Sequence, residues 1–258
     1  MDKSTLLGVG VALTGILLGL MLEGGKIAQI IQPTAAMIVF GGTLGAVMIQ
    51  FPLRVIVAAG RRLGQVFVDN SQNPNILISE MVGYAQKARK EGIISLDAEL
   101  ESIADPFLKK SLMLAVDGTE PQEIRKIMTL ELDNQSEHEE HLPRVFESAG
   151  GFAPTIGIIG AVLGLIQVMQ HLDDISEVGR GIAVAFVATI YGVGSANLFL
   201  LPASGKIKIR IRQEQIRREM MLEGVISILE GMNPRMLETK LQSFFAEANQ
   251  EAMGGHSA

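Results

Sequence analysis

Residues 148–170 read SAGGFAPTIGIIGAVLGLIQVMQ and contain no Asp, Glu, Lys or Arg. About 20 helical residues cross the hydrocarbon core of a bilayer, so these 23 residues are long enough to span it. Within the stretch, Gly157, Ala161 and Gly164 recur at helical spacing, which is typical of a membrane helix that packs closely against another helix. The stretch therefore predicts a membrane-spanning helix with a close neighbour.

Three further stretches also lack acidic and basic side chains: Ser4–Leu22, Ile27–Leu53 and Gly181–Gly205. The four stretches have 19, 27, 23 and 25 residues in chain order, and together they hold 94 of the 258 residues. They account for the low charged fraction of 19%, since soluble domains have about a quarter. We therefore predict an all-α, polytopic membrane protein with four transmembrane helices and a helical cytoplasmic domain.

The chain divides into four predicted segments: residues 1–53 with the first two transmembrane helices as a hairpin, residues 54–147 as a helical polar domain, residues 148–205 with the third and fourth transmembrane helices, and residues 206–258 as a helical polar tail. Lys and Arg cluster where the two polar segments begin, whereas the two opposite connections hold one basic residue each, Lys26 and Arg180. By the positive-inside rule, both polar segments and both termini are expected in the cytoplasm.

Helix start signals occur in the polar segments. Asn73-Pro74, Asp105-Pro106 and Thr119-Glu120-Pro121 each place a proline where a helix begins. The tail residues 216–229 alternate charged and apolar positions as an amphipathic helix does, and we expect this helix to pack against the rest of the chain.

The four apolar stretches contain no carboxylate, Lys, Arg or His. An ion pathway through lipid normally needs an ionisable residue near mid-depth, so either the protein transports nothing or a partner helix supplies the titrating group. The polar side chains that remain, among them Thr155 and Thr189, are expected to bond mainly to carbonyls of their own helix. Pro154 is expected to free the backbone carbonyl of Gly150.

No catalytic constellation emerges from the sequence. The chain has no Cys, which excludes disulfide scaffolds and Cys-based metal sites, and its net charge of −6 argues against nucleic acid as a partner. His138 and His141 are three residues apart, one short of a zinc-protease spacing, and Gly157–Gly160 lacks the Lys-Ser/Thr of a phosphate loop. We predict that the protein is not an enzyme and has no metal site or cofactor.

Several motifs together resemble MotA/PomA, the A subunit of the bacterial flagellar stator, a family related to TolQ and ExbB. They are Phe40–Thr43 (FGGT), Gly150–Gly160 (GGFAPTIGIIG), Ala188–Gly192 (ATIYG), Glu223–Val225 (EGV) and Gly231–Arg235 (GMNPR). The resemblance runs over nearly the whole chain, whereas TolQ and ExbB are similar only over the last two transmembrane helices.

The resemblance implies a partner and a set of ion-pathway residues. In the family, a MotB/PomB-like B subunit supplies a membrane aspartate, enclosed by a homo-oligomeric ring of A subunits, a pentamer, in the lipid of the bacterial inner membrane. Pro154 and Pro202 correspond to the two functional prolines, and Thr189 to the threonine that faces the aspartate. The neighbouring residues assigned to the ion pathway and coupling are Thr155, Gly157, Ala161 and Ala188.

The resemblance also implies a rotor-binding surface. Arg89 and Lys90 match basic residues that would meet acidic residues of the rotor protein FliG, and Asp97 and Glu99 match acidic residues that would meet basic ones. From the residues alone, charges at this density are also typical of a solvated helix face.

We expect H⁺ to be the translocated ion, with Na⁺ as the alternative. Ala161 and Ala188 stand where sodium-type members tend to have threonine, and Na⁺ needs several oxygen ligands when it is dehydrated. Two other functions stay open at this point: an ExbB/TolQ-like energiser of outer-membrane processes, and a membrane scaffold without ion flux.

Overall fold

The computed structural model describes residues 3–66 and 74–254, and within these ranges every regular element is helical. Its α-helices are α1 (Lys3–Leu22), α2 (Pro33–Ala36), α3 (Gly42–Gln50), α4 (Leu53–Val66), α5 (Pro74–Glu91), α6 (Pro106–Val116), α7 (Pro121–Gln170), α8 (Ile175–Ser195), α9 (Leu201–Leu229) and α10 (Pro234–Gly254). Single π-helical turns, Met37–Gly41 and Ala196–Leu200, join α2 to α3 and α8 to α9, and 3₁₀ turns cover Ile27–Ile30 and Ile93–Glu99.

Four helices are long and apolar enough to cross a membrane: Ser4–Leu22, Pro33–Gln50, Pro121–Gln170 and Ile175–Leu229. Each contains one of the charge-free stretches of the sequence, or most of it. The prediction of an all-α protein with four membrane-spanning helices is therefore confirmed. The third and fourth of these helices are much longer than the predicted spans, because α7 has 50 residues and α9 continues the fourth span for another 29.

The described residues form two compact units. The first unit lies within residues 1–69 and 140–209, and the second unit lies within residues 70–139 and 210–258. The membrane-spanning stretches fall in the first unit. The division of the chain into four segments stays a prediction.

The first unit has two small apolar cores and a largely apolar exterior. Ala35 and Val39 of the second span pack with Val187 and Ala188 of α8 in one core. The other core contains Val47, Ala59, Val145 and Ala149. Large apolar side chains such as Ile49 and Phe186 remain exposed, as expected for helices whose outer faces meet lipid rather than water.

The second unit has a single larger core from α5, α6, α10 and parts of α7 and α9. Its helices begin where proline predicts: α6 at Pro106 and α7 at Pro121. The Asp105 side chain caps α6 by accepting bonds from the N–H groups of Phe107 and Leu108 at 2.9 and 3.3 Å. Asn73, the predicted cap of α5, lies outside the described residues.

The amphipathic tail helix packs into this core as expected, since Met220, Met221 and Val225 are at most 1% exposed. Its polar face carries Glu223, which holds three helices together. The Glu223 carboxylate accepts from the Arg125 guanidinium of α7 at 2.8 Å and from the Lys240 ammonium of α10 at 2.5 Å. Burial acts to raise the pKa of Glu223, but these two hydrogen bonds hold it below the ordinary glutamate value.

Replacement of this carboxylate tests its part in stability. We expect Glu223→Gln to lower the free energy of unfolding by about 1–3 kcal/mol at pH 7, because two charge-assisted hydrogen bonds are lost. Since the folded-state pKa is lowered, the contribution is complete above the ordinary pKa of 4.5 and is lost as the pH falls below it. Thermal unfolding of the purified protein at pH 7 and below pH 4.5 measures both effects.

Glu238→Gln is the matched control, because Glu238 is exposed on α10 and has no ion pair with any residue that the structure describes. A Glu223→Gln protein that melts with wild-type pH dependence would contradict this account.

Candidate functional site

Helices α7 and α8 approach each other at backbone distance. A Cβ atom built on Gly192 would lie 2.5 Å from the Ala153 carbonyl oxygen and 3.1 Å from the Gly157 Cα. A Cβ atom on Gly157 would lie 2.9 Å from the Ala188 carbonyl oxygen and 3.5 Å from the Thr189 Cα. Only glycine leaves room for this contact, so the small residues predicted from spacing do form a helix–helix interface.

The same interface continues towards the connection between the two helices. A Cβ atom on Gly164 would lie 2.7 Å from the Gly181 carbonyl oxygen and 2.9 Å from the Ala185 nitrogen. A Cβ atom on Gly160 would meet the Ala188 Cβ at 2.8 Å and Ile38 of the second span at 3.3 Å. Three spans therefore meet around Gly160 and Ala188.

This crossing brings together three of the residues predicted for the ion pathway. Gly157 and Ala188 are buried, and Thr189 beside them is half-buried. Pro154 and Ala161 are half-buried on α7, and Thr155 is exposed there. Their assignment to ion passage stays a prediction.

Hydroxyl and amide side chains in α7 and α8 bond to their own helices, as expected. Thr155 donates to the Phe152 carbonyl at 2.8 Å, and Thr189 donates to the Ala185 carbonyl at 3.2 Å. Ser195 and Asn197 donate to the carbonyls of Gly192 and Val193. None of these four groups therefore needs a partner from outside its helix.

Tyr191 is different, because it joins the fourth span to the start of the second. Its hydroxyl donates to the Ile30 carbonyl at 2.6 Å and accepts from the Gln32 N–H at 3.2 Å. Its ring stacks on Phe40, with the two centroids 5.8 Å apart. Tyr191 belongs to the Ala188–Gly192 motif, but the sequence did not predict these contacts, because its partners lie about 160 positions away.

Pro202 does not end the helix of the fourth span, which continues beyond this residue. Proline lacks an N–H and its ring would clash with the carbonyl four residues earlier, that of Leu198. The π-helical turn Ala196–Leu200 directly precedes it, and the Leu201 N–H donates to the carbonyl five residues back, at Ala196. The wider turn accommodates the proline within a continuous helix.

Pro202 lies apart from the Gly157–Thr189 crossing, beside α1. It borders a mainly apolar cavity of about 360 Å³ in the first unit. Gly8 and Ala12 of α1 line one wall, Asn197 and Ala203 line the other, and Lys206 lies at its edge.

The four charges predicted to bind the rotor lie at the end of α5 and in the 3₁₀ turn after it. Gly92 adopts a φ of +85°, which ends the helix and reverses the chain. Arg89, Lys90 and Asp97 are exposed and make no ion pair within residues 3–66 and 74–254. Glu99 is half-buried and accepts from Lys87 at 2.6 Å, a partner that the sequence reading did not identify.

The two histidines that nearly match a zinc-protease spacing lie in the middle of α7. His138 and His141 lie exposed on α7, and no group of three His, Asp or Glu side chains that could hold a metal ion occurs within residues 3–66 and 74–254.

Comparison with known proteins gives a consistent result over the whole chain. Residues 99–220 match the model of the MotA/TolQ/ExbB proton channel family, and residues 6–92 match the model of the motility protein A N-terminal region. The chain is 38% identical to motility protein A of Bacillus subtilis strain 168 over 245 residues, which cover 93% of this chain and 90% of that protein.

Two solved structures have the same fold. The structure of C. jejuni MotAB matches with a TM-score of 0.90 and 32% identity, covering 95% of this chain and 96% of that one. The flagellar MotAB stator complex from Bacillus subtilis matches with a TM-score of 0.86 and 38% identity, covering 93% and 94%.

The glycine contacts at the helix crossing make a direct prediction. We expect Gly192→Ala to destabilise the protein by about 1–3 kcal/mol, because the added methyl group would overlap the Ala153 carbonyl. Gly194→Ala is the matched control on the same helix, since a Cβ there meets no atom of the described chain within 4 Å. It should be neutral or slightly stabilising. Equal melting temperatures for the two variants would show that the crossing tolerates a side chain.

Proposed function

This chain belongs to the MotA/TolQ/ExbB proton channel family, and we propose that within it the chain is the A subunit of a flagellar stator. It works with a B subunit in the bacterial inner membrane, conducts ions down their electrochemical gradient, and converts the flow into torque on the rotor. The match to motility protein A runs through the N-terminal region as well, which favours a stator over an ExbB/TolQ-like energiser.

The observation that carries this function is that none of the four apolar stretches contains Asp, Glu, Lys, Arg or His. A proton or cation crossing lipid needs a group that can hold its charge at mid-depth. This chain supplies closely packed helices and no such group, so the B subunit must bring the carboxylate. A ring of A subunits around B-subunit helices satisfies that requirement. Without the B subunit, the chain is not expected to conduct ions.

Thr189 and Pro154 are proposed to respond to the charge of that carboxylate. They flank the α7–α8 crossing, where backbones are in contact and a small shift of one helix must move the other. Neutralisation of the partner aspartate changes its hydrogen bonding near these residues, and the rotor-binding charges then move against the rotor. No step of this cycle makes or breaks a covalent bond in a substrate, so we assign the chain no enzymatic activity.

The orientation follows from the basic residues. Arg54, Arg61 and Arg62 follow the second span, and further Lys and Arg residues follow the fourth, so both polar segments and both termini are proposed to be cytoplasmic. This places Arg89, Lys90, Asp97 and Glu99 on the side of the membrane where a cytoplasmic rotor protein such as FliG can reach them.

We propose H⁺ as the coupling ion. Dehydrated Na⁺ requires several oxygen ligands, and the structure offers few at the crossing. Ala188 is fully buried between Gly160 and the second span and brings no side-chain oxygen to the crossing, where the Thr189 hydroxyl lies beside it. A proton needs only the partner carboxylate and a water path.

The ion and the partner are tested in one experiment. Cells that express this chain with a B subunit should swim in Na⁺-free medium and stop when a protonophore collapses the proton gradient. A B subunit with its membrane aspartate changed to asparagine is the control, and it should abolish both motility and proton uptake. Motility that survives the protonophore and stops on removal of Na⁺ would reverse the ion assignment.

Charge reversal tests the rotor surface. We expect Arg89→Glu to reduce swimming-ring expansion to less than about half, because it repels the acidic rotor residues that the arginine would attract. Lys109→Glu makes the same change of charge at an exposed position of α6 and should swim normally. Reversal of an acidic residue on the rotor should restore part of the loss. Normal swimming by Arg89→Glu would remove this surface from the rotor contact.

A further inference from the structure

The rotor-binding charges are not equivalent in the structure, because one of them is already engaged. Arg89, Lys90 and Asp97 have no ion pair with any part of the chain that the structure describes, whereas Glu99 binds Lys87. Lys87 lies on α5, one and a half turns before the chain reverses at Gly92. The 3₁₀ turn then returns Glu99 to its side, so the pair joins two residues that are 12 positions apart in the chain.

Two further contacts fix the path of this loop. Leu96 is fully buried beneath the 3₁₀ turn, and Ser95 donates to the Gly92 carbonyl at 2.7 Å. The loop is therefore held in place without the ion pair. The pair itself lies on top, with the side chains of Lys87 and Glu99 31% and 38% exposed.

The pair is well formed but not buried. Its hydrogen bond is the main cause that raises the pKa of Lys87, and Glu91 on the same helix face adds to the effect, so Lys87 stays charged at physiological pH. Ion pairs at such exposure contribute little to stability, because water and salt replace each charge at small cost. A basic group of another protein can therefore take the place of Lys87.

We propose that Lys87 is a further specificity-determining residue of the rotor-binding surface: it occupies Glu99 until a basic side chain of the rotor displaces it. This inference rests on the proposed function, and it assigns Lys87 an effect that opposes binding. While Lys87 is bound, it shields the negative charge of Glu99 from other molecules. A basic group of the rotor in the correct position displaces Lys87 and binds Glu99. A wrong partner gains too little binding free energy to offset the loss of the Lys87–Glu99 ion pair, and this difference gives specificity.

A double-mutant cycle tests the proposal. The purified complex of this chain with its B subunit is titrated with the rotor protein at low and at moderate salt. Lys87→Met keeps the aliphatic stem and removes the charge. We expect it to tighten binding about two- to fivefold at low salt, since a surface pair of this strength no longer has to be broken. In a Glu99→Gln background the same change should have no effect.

The control is another surface ion pair of the second unit, Lys110 with Glu131, at 2.5 Å and similar exposure. Lys110→Met should leave rotor binding unchanged in either background. Weaker or unchanged binding by Lys87→Met, or an equal effect with and without Glu99, would overturn the proposal. Circular dichroism melting of each variant shows whether a change in binding comes from loss of structure.

The cycle separates this inference from the function on which it rests. Suppose that Arg89→Glu weakens binding and that the effects of Lys87→Met and Glu99→Gln on binding are additive. The assignment of the rotor-binding surface is then supported, and the proposal that Lys87 competes with the rotor is wrong. If Arg89→Glu also binds as the wild type does, the rotor surface itself is wrong.

Discussion

Where α7 crosses α8, glycines remove the Cβ atoms that would hold the two backbones apart. At Gly192 even a methyl group would overlap the Ala153 carbonyl, and at Gly164 it would overlap the Gly181 carbonyl. In lipid, apolar side chains gain nothing from association alone, so helices associate through close packing of this kind. The second span packs on this contact: Ile38 lies against Gly160, and Ala188 is fully buried.

The lipid environment imposes a second requirement, that polar groups find partners within the protein. The helices meet it locally, since the hydroxyls of Thr155 and Thr189 donate to carbonyls of their own helices. At the start of the second span, the Tyr191 hydroxyl fills this role by bonding to the Ile30 carbonyl and the Gln32 N–H. Two other hydroxyls of the first unit, those of Thr43 and Ser204, are buried without a hydrogen-bond partner among the described residues. None of these side chains carries a charge, which agrees with the proposal that a partner supplies the carboxylate.

Local sequence predicted local structure well. Charge-free stretches identified the four spans, and the prolines at 106 and 121 marked helix starts, because span length and helix capping depend only on residues near in the chain. The continuous helix at Pro202 was harder to predict, since it depends on whether the preceding turn can widen. Sequence alone does not show a π-helical turn. The hydrogen bonds of Tyr191 and the ion pair of Lys87 were not predicted. Their partners are distant in the chain or follow a reversal, so neither periodicity nor spacing contains the information.

Two glutamates of the second unit show why an ion pair can serve either stability or recognition. Glu223 has two cationic partners on two other helices and a side chain only 20% exposed, so its removal leaves Arg125 and Lys240 without their shared carboxylate acceptor. Glu99 has one partner, on a neighbouring turn, and a side chain 38% exposed. Its pairing is reversible at little cost because water reaches both groups. Burial and the number of partners therefore decide which acidic residue holds the fold together and which one is free to be exchanged with another protein.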